Sequence, residues 1–286
     1  MTPSSSLPGS KLLLVGDAGT GKTTSIASWL AAGITPFCIF TEPSFEVLGD
    51  QKWDNALSKM HWVYLPPASS PWTDLIDSAK KINTMSFKQL CQLDDINKRS
   101  YHQFIDFLII NNNFKCSHCG KEFGDVSKWG TDRALVWDSL SGLSYMAMRM
   151  MVGTKPVKDQ GDWGVAMDNL ENVLMKVTTD TRAWFQLISH MEPEKDEVSG
   201  AILQMPSTLG RKLAPKLAKM FSDVVVARRV ADKFMWSTVE PNAVQKARNL
   251  DYKGDLPPTV VPIVESWKRR GGLIESGESP VATAAA

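Results

Sequence analysis

A glycine-rich segment near the start of the chain has the residue types needed to hold a chain of phosphates. Residues 16–23, GDAGTGKT, follow the spacing G-x-x-x-x-G-K-[ST] between an apolar run and a helix-compatible segment. Glycines allow a tight loop whose N–H groups point at phosphate oxygens, and the helix start adds a positive dipole. Lys22 offers a cation to the β- and γ-phosphates, and Thr23 offers a hydroxyl to Mg²⁺. The pattern predicts an ATP and Mg²⁺ site formed by Gly16, Asp17, Ala18, Gly19, Thr20, Gly21, Lys22, Thr23 and Thr24.

An aspartate later in the chain is a candidate metal ligand. The residues ALVWD at 134–138 have the character of a buried strand and end in Asp138. A carboxylate at the end of a parallel strand reaches the edge of the sheet where nucleotides bind. We therefore expect Asp138 to hold Mg²⁺ together with Thr23. The alternative is that Asp138 caps the helix that follows it.

The apolar segments predict an α/β fold with a mostly parallel sheet flanked by helices. Short continuous apolar runs are typical of buried parallel strands, and their alternation with helical segments favours β–α–β units. The predicted strands are 11–16, 35–43, 60–67, the start of 133–148, 183–191, 224–230, 233–240 and 243–250. The predicted helices are 22–32, polar segments around 72–82 and 87–113, the end of 133–148, and 161–180. A basic helix is also predicted within 207–223, with Pro215 at a break or first turn.

The expected organisation is one core with an insertion and two tails. We expect a flexible tail at 1–10, a core at 11–265 interrupted by a helical, cysteine-bearing insertion at 71–131, and a flexible tail at 266–286. The 286 residues fit one α/β domain with an insertion, and the net charge of +1 argues against wholesale electrostatic capture of nucleic acid. Local basic clusters remain compatible with nucleic-acid binding.

Targeting signals and a disulfide framework are not expected. The sequence has no apolar run of about 18 residues and no apolar segment near its start that resembles a signal peptide. Four cysteines in 286 residues do not indicate a disulfide scaffold. We therefore expect a reducing, cytoplasmic setting and no membrane partner.

The order of the segments resembles RecA-type ATPases, and more narrowly the phage RecA-core ATPases described as Sak-type single-strand annealing proteins. LVWDSLSGL resembles the Walker B segment, FQLISHM the next core strand, and VQKARNL a late basic strand. The resemblance covers roughly residues 11–265, without the insertion. It implies a RecA-like P-loop NTPase core, Mg²⁺-dependent ATP hydrolysis, and a role in phage recombination or annealing in the host cytoplasm.

The resemblance also implies roles for five residues. Glu42, at the end of the second strand, would activate the attacking water, and His190 or Ser189 would sense the γ-phosphate; RecA itself has glutamine there. Lys246 and Arg248 would reach the nucleotide of a neighbouring subunit in a ring or filament. The alternatives are a solvated strand end for Glu42, a packed histidine for His190, and edge-strand protection for the two basic residues.

Two segments correspond in position to the loops through which RecA-type cores bind single-stranded DNA. These are residues 152–164 and 191–212. Their basic and aromatic residues, with those just beyond, are Lys155, Lys158, Trp163, Arg211, Lys212, Lys216 and Lys219. Lysines neutralise phosphates and Trp163 could stack on a base, although Trp163 is equally compatible with packing on the core. The run Lys268–Arg270 is either a further phosphate contact or a solvated helix end. Phage single-strand-binding or recombination proteins would be further partners.

The insertion contains a candidate zinc knuckle. Cys116 and Cys119 form a C-x-x-C turn followed by glycine, and Cys91 and His102 lie upstream as further candidate Zn²⁺ ligands of irregular spacing. The alternatives are a redox pair and a degenerate turn that binds nothing.

Three functions therefore follow as hypotheses. The first is an ATPase that acts on single-stranded DNA in phage recombination or annealing. The second is a helicase-like or helicase-loading motor. The third is a nucleotide-binding regulatory module with little turnover.

Overall fold

A seven-stranded sheet organises the chain, of which the computed structural model describes residues 6–93, 101–195 and 200–277. The strand order is β3-β2-β4-β5-β1-β8-β9, and within this sheet only β9 runs antiparallel to its neighbour. The strands are β1 (Lys11–Val15), β2 (Thr35–Phe40), β3 (His61–Tyr64), β4 (Arg133–Asp138), β5 (Trp184–Ser189), β6 (Met191–Lys195), β7 (Ile202–Pro206), β8 (Asp223–Val230) and β9 (Lys233–Ser237). Strands β6 and β7 form a separate antiparallel hairpin. The mostly parallel α/β sheet predicted from the sequence is thus confirmed.

Helices cover both faces of the sheet. They are α1 (Ser28–Ala31), α2 (Ala56–Lys59), α3 (Trp72–Thr84), α4 (Phe87–Cys91), α5 (Gln103–Asn112), α6 (Leu140–Val152), α7 (Gln160–Asp180), α8 (Gly210–Met220) and α9 (Val261–Arg269). Alternate residues of β1 enter opposite cores: Leu13 packs with α5, α6, α7 and α8, while Leu12 and Leu14 pack with α1 and α9. This two-sided burial explains why the strands read as continuous apolar runs.

The segment after the phosphate-loop pattern is less regular than the single helix predicted for residues 22–32. It forms a 3₁₀ turn at Thr24–Ala27 and then the short α1. A buried amide in β5 fixes this segment to the sheet, because Gln186 Oε1 accepts a 2.6 Å hydrogen bond from Trp29 Nε1. Ser25 lies within 3.4 Å of the Gln186 amide nitrogen on the same side.

Both terminal segments are packed where they are described, contrary to the prediction of flexible tails. At the start, Ser6 and Ser10 are buried, and the carbonyl of Pro8 accepts a 2.8 Å hydrogen bond from Trp267. At the end, α9 buries Trp267, and Thr131 binds residues 273 and 275 through its hydroxyl. Tail residues 1–5 and 278–286 lie outside the described residues.

Two further expectations differ from the structure. The segment 191–212 was predicted as a loop, but it contains the β6–β7 hairpin and the start of α8, with Pro215 inside that helix. The strand predicted at 243–250 does not form, since only single bridges join Ala243 to Gln204 and Lys246 to Val224. The other predicted strands lie at their expected places, several of them shorter.

Between β3 and β4 lie α3, α4, α5 and a small turn closed by a bridge between Lys115 and Glu122. The later part of this region packs on the sheet, because Phe107 and Phe114 are fully buried in the main core. Helix α3 buries no residue. Over the described part of the chain, the helices are too short or too polar to cross a lipid bilayer.

Close packing of α6 against the end of β2 gives a testable prediction. A Cβ at Gly142 would overlap Thr41 Oγ1, whereas a Cβ at Gly164 in α7 would meet no atom within 4 Å. Overpacking costs about 1–3 kcal/mol, so we expect Gly142→Ala to lower the free energy of unfolding by that order. Gly164→Ala should instead raise the free energy of unfolding by up to about 0.5–1 kcal/mol, because alanine loses less backbone entropy than glycine when the helix folds. Denaturant unfolding of the two variants checks this, and equal stabilities would contradict the packing.

Candidate nucleotide site

The glycine-rich loop between β1 and the following 3₁₀ turn is held tightly by its surroundings. Gly21 has φ of 81°, and a Cβ there would lie 2.6 Å from Cγ of Phe234 on β9. A Cβ at Gly16 would overlap the carbonyl oxygen of Ala227 on β8. Both positions therefore require glycine, and the loop is formed against the neighbouring strands rather than by its own sequence alone.

Lys22 lies in the middle of this loop and is buried. Its ammonium donates hydrogen bonds of 2.8 Å and 2.7 Å to the carbonyl oxygens of Gly16 and Asp17. Burial lowers the pKa of Lys22, and the nearby carboxylates of Asp138 and Glu42 oppose that shift. The result is a positioned cation held by loop carbonyls, and a cation at this place suits phosphate oxygens.

Asp138 meets Thr23 across the sheet. The Thr23 hydroxyl donates a 2.7 Å hydrogen bond to Asp138 Oδ2, although the two residues belong to different βα loops. Burial raises the pKa of Asp138 to about 6, while the Thr23 hydrogen bond opposes this by favouring the carboxylate. Two hard oxygen donors face each other here, and such donors suit Mg²⁺. The residues present thus fit the metal that the sequence predicts.

Glu42 lies beside this pair, at the end of β2. One carboxylate oxygen accepts a hydrogen bond from the Ser139 hydroxyl, and the other lies 3.2 Å from His190 Nε2. The hydrogen bond with His190 is the main cause that lowers the pKa of Glu42, with Ser139 acting in the same direction and burial opposing it. Glu42 is therefore an ionised, oriented carboxylate. The structure excludes a freely solvated strand end.

These groups share one pocket of about 390 Å³. Its lining residues are Ala18, Gly19, Thr20, Gly21, Lys22, Thr23, Thr24, Glu42, Ser44, Val47, Asp138, His190 and Phe234. Asp138, Glu42 and His190 meet there because β4, β2 and β5 are neighbours that all end at the same edge. Ser189 instead points away from the pocket lining and donates a 2.9 Å hydrogen bond to the carbonyl of His190.

Several residues of this site were not singled out by the sequence reasoning. Thr41 accepts a 2.8 Å hydrogen bond from the Ser139 amide and so orients the residue that holds Glu42. Its position directly after an apolar strand was a usable signal, as was the position of Ser139 after Asp138. Phe234 carried no such signal, because only the β8–β9 hairpin brings it against the loop.

Lys246 and Arg248 lie away from this pocket. The bridge from Lys246 to Val224 places Lys246 near the start of β8, whereas the phosphate loop follows the end of the parallel strand β1. The Lys246 ammonium donates hydrogen bonds to the carbonyls of Phe221 (2.6 Å) and Ala218 (3.3 Å) at the end of α8. The side chain of Arg248 is exposed.

The two predicted DNA-binding segments lie side by side. A cavity of about 310 Å³ lies between Trp163, the β6–β7 hairpin and the start of α8. Trp163 is 40% exposed, and the Lys158 ammonium lies 5.3 Å from its ring centroid. More than half of the Trp163 side chain is therefore covered, while the rest faces solvent. The hairpin also brings Glu192 and Glu194 to the same cavity.

The lysines of these segments differ in their surroundings. Lys155 forms ion pairs with Asp159 and Asp162 at the start of α7, and Lys216 forms one with Glu171. Lys212 is exposed. Lys219 lies in the last turn of α8.

The candidate zinc ligands are only partly brought together. Cys116 and Cys119 lie close to His61, with the three ligand atoms within 4.8 Å of one another. Cys91 is exposed on α4, and His102 precedes α5 and pairs with Asp106. Neither belongs to that cluster, so the proposed participation of Cys91 and His102 is wrong. His61 was missed because it lies more than fifty residues before the knuckle, at the start of β3.

Comparisons with known proteins complete the description. Residues 9–249 match the AAA_24 family model, which describes an AAA domain. A search of curated proteins gave no match.

Three solved structures are similar to the chain at low sequence identity. One is an ATPase from the type III secretion system of pathogenic bacteria, with 12% identity, a TM-score of 0.37, and coverage of 78% of this chain and 53% of that chain. The chain thus spans about half the length of that ATPase. The second is the RadB recombinase, with 11% identity, a TM-score of 0.35, and coverage of 83% of this chain and 84% of that chain. The third is the flagellar accessory protein FlaH from Methanocaldococcus jannaschii, with 10% identity, a TM-score of 0.35, and coverage of 81% of this chain and 78% of that chain.

The family match and the geometry point in the same direction. The match spans most of the chain and includes β1 to β9 with the nucleotide pocket. The phosphate loop, the parallel sheet and the acidic residues at its carboxyl edge are the parts that such an ATPase needs. The chain therefore belongs to the AAA-domain family, as a P-loop NTPase built on a mostly parallel α/β sheet.

Proposed function

We propose that this chain is a Mg²⁺-dependent ATPase that acts on single-stranded DNA, in phage recombination or strand annealing. The observation that carries the ATPase part is the meeting of Lys22, Asp138 and Glu42 around one pocket. A phosphate cation, a metal ligand and a carboxylate for water are the groups that phosphoryl transfer to water requires. The DNA part is supported by the neighbouring cavity that Trp163 lines.

Lys22 and the loop amides would bind the phosphates. The ammonium would exchange its loop carbonyl partners for phosphate oxygens. Its attraction to these oxygens is stronger in the low-polarity pocket than it would be in water. Thr23 and Asp138 would hold Mg²⁺, which neutralises charge on the β- and γ-phosphates when bound.

Glu42 would orient the attacking water and accept its proton. Its low pKa keeps the carboxylate ionised at neutral pH, and Ser139 and His190 fix its orientation. Each carboxylate oxygen keeps a second acceptor site, so water can bind Glu42 while Ser139 and His190 hold its orientation. Because His190 lines the same pocket, we infer that it changes partner from Glu42 to the γ-phosphate when ATP binds, which would couple phosphate sensing to water activation.

The DNA surface would use stacking more than charge. Trp163 offers a π-face, and Lys158 adds a cation next to it. A base stacked on an aromatic ring contributes about 1–3 kcal/mol. Glu192 and Glu194 line the same cavity and would weaken binding of the phosphate backbone there, so we expect the backbone to run toward the exposed Lys212 instead.

One observation favours a second function, a nucleotide-binding regulatory module with little turnover. Both oxygens of Glu42 are already hydrogen-bonded, to Ser139 and to His190. If these two partners hold the carboxylate away from the path of the attacking water, ATP is bound without hydrolysis. The rate of hydrolysis decides between the two functions.

Substitutions at Lys22 and Glu42 separate binding from chemistry. Lys22→Ala should weaken ATP binding and abolish hydrolysis while the chain stays folded. Glu42→Gln should retain ATP binding and slow turnover by about 10²–10⁴-fold, since it removes a proton acceptor that acts in the transition state. Nucleotide affinity and steady-state ATPase rates check both variants. Lys88→Ala, an exposed cation on α4 outside the nucleotide pocket and the predicted DNA-binding segments, serves as the control with wild-type kinetics. An unchanged rate in folded Lys22→Ala protein would contradict the proposed ATP site.

The raised pKa of Asp138 predicts an acid limb in the activity profile. Below about pH 6 the buried carboxyl of Asp138 is protonated and no longer suits Mg²⁺, so hydrolysis should fall. Mg²⁺ binds the ionised form, and therefore higher Mg²⁺ concentrations should move this limb to lower pH. ATPase rates from pH 5 to pH 8 at several Mg²⁺ concentrations test the expectation. If the position of the acid limb does not change with Mg²⁺ concentration, a group other than Asp138 causes it.

The exposed Arg248 predicts a role in assembly. An arginine delivered by a neighbouring subunit stabilises charge on the γ-phosphate, so ATPase activity per subunit should rise with protein concentration and with single-stranded DNA. Arg248→Ala should remove this rise without changing ATP binding by the isolated subunit. Lys88→Ala, an exposed cation on α4, is the control. Activity that is independent of concentration and DNA, and equal in both variants, would leave the regulatory module as the better proposal.

A further inference from the structure

A cluster of soft metal ligands lies far from the nucleotide pocket. His61 opens β3, the edge strand of the sheet, while Cys116 and Cys119 belong to the turn before β4. Residue 61 is at the amino end of its strand, and the nucleotide pocket lies at the carboxyl ends. The cluster is thus independent of the ATP site.

The turn around the two cysteines has a fixed geometry. The Cys116 amide donates a 2.9 Å hydrogen bond to the carbonyl of Lys121, and the Gly120 amide donates one of 2.9 Å to the carbonyl of Cys116. Gly120 has φ of 70°, a conformation that favours glycine. These bonds fold the chain so that the two thiols lie on the same side of the turn, as a C-x-x-C metal knuckle requires.

The turn is docked on β3 by a backbone hydrogen bond and by ring packing. The Ser117 amide donates a 2.8 Å hydrogen bond to the carbonyl of Trp62. The His61 ring packs between Phe37 and Phe123, with centroids 4.7 Å and 4.2 Å away. His61 is therefore oriented before any ligand binds, and its Nδ1 lies 3.5 Å from the Cys119 sulfur.

This spacing matches a tetrahedral site. With Zn–S of about 2.3 Å and Zn–N of about 2.0–2.1 Å, ligand atoms around one ion are separated by about 3.5–3.8 Å. The observed Nδ1 to Sγ distance falls in that range, and all three ligand atoms lie within 4.8 Å of one another. Thiolates with imidazole are the ligands that select zinc over harder cations.

We propose that His61, Cys116 and Cys119 bind one Zn²⁺ ion. Cys116 is buried while Cys119 is exposed, so the fourth position faces solvent and is filled by water. On binding, the two thiols give up their protons to solvent, and the imidazole coordinates in its neutral form. The ion would fasten the region between β3 and β4 to the edge strand of the sheet, which gives it a structural role.

Metal content and a cobalt probe test this proposal on the full chain. Purified wild-type protein, desalted after exposure to zinc chloride, should carry about one zinc per chain. His61→Ala and Cys119→Ser should each lose it, whereas the matched control Cys91→Ser should retain it, because Cys91 lies outside the cluster. Cobalt(II) in place of zinc should give thiolate-to-metal absorption in the wild type and in Cys91→Ser but not in His61→Ala.

Folding controls keep the test decisive. Cys119 is exposed, so Cys119→Ser should fold normally, and circular dichroism and ATP affinity should match the wild type. Chelation should lower the thermal midpoint of the wild type and leave that of His61→Ala unchanged. The proposal is overturned if the wild type holds no zinc or if His61→Ala keeps the same zinc content.

Discussion

The hydrogen bond from Thr23 to the buried carboxylate of Asp138 is the interaction on which the rest of the site depends. A buried carboxylate loses its hydration, which in proteins costs several kcal/mol unless other groups replace the water. Thr23 lies in the loop that follows β1, and Asp138 ends β4; these two strands are not neighbours, since β5 lies between them. The bond therefore forms only when all three strands keep their register, with Val15 opposite Ser189 and Asp138 opposite Ile188. The geometry of the candidate metal site therefore depends on the order and register of these strands.

Strand β5 serves the site from its buried interior as well as from its end. Gln186 lies in the middle of this apolar strand and would be costly there without hydrogen-bond partners. Its amide binds Trp29 and approaches Ser25, which fixes the segment that follows the phosphate loop. Four residues later, His190 lies against Glu42. The same strand thus sets the position of the loop on one side and of the acidic group on the other.

The sequence predicts the parts that depend on local patterns and misses those that depend on distant contacts. The strands and the phosphate loop were predictable because apolar runs and glycine spacing are local signals. The strand predicted at 243–250 does not form, because its backbone makes only single bridges, from Ala243 to Gln204 and from Lys246 to Val224. The packed chain ends escaped prediction because Trp267 finds Pro8 across the sequence. His61 escaped for the same reason, since no spacing rule links it to Cys116.

The carboxyl and amino edges of the sheet carry different kinds of polar contact. At the carboxyl edge, side chains of successive strands converge on one pocket, and their hydrogen bonds hold ionised groups ready for a ligand. At the amino edge, buried polar groups join distant parts of the chain. The Lys11 ammonium donates hydrogen bonds to the carbonyls of Thr181 and Ala183, and burial lowers the pKa of Lys11 to about 7. The carboxylate of Asp223 accepts hydrogen bonds from the backbone amides of Arg248 and Asn249. These bonds satisfy backbone groups that would otherwise be buried without partners. Changes at this edge should therefore act mainly on stability, while changes at the other edge should act on the nucleotide pocket.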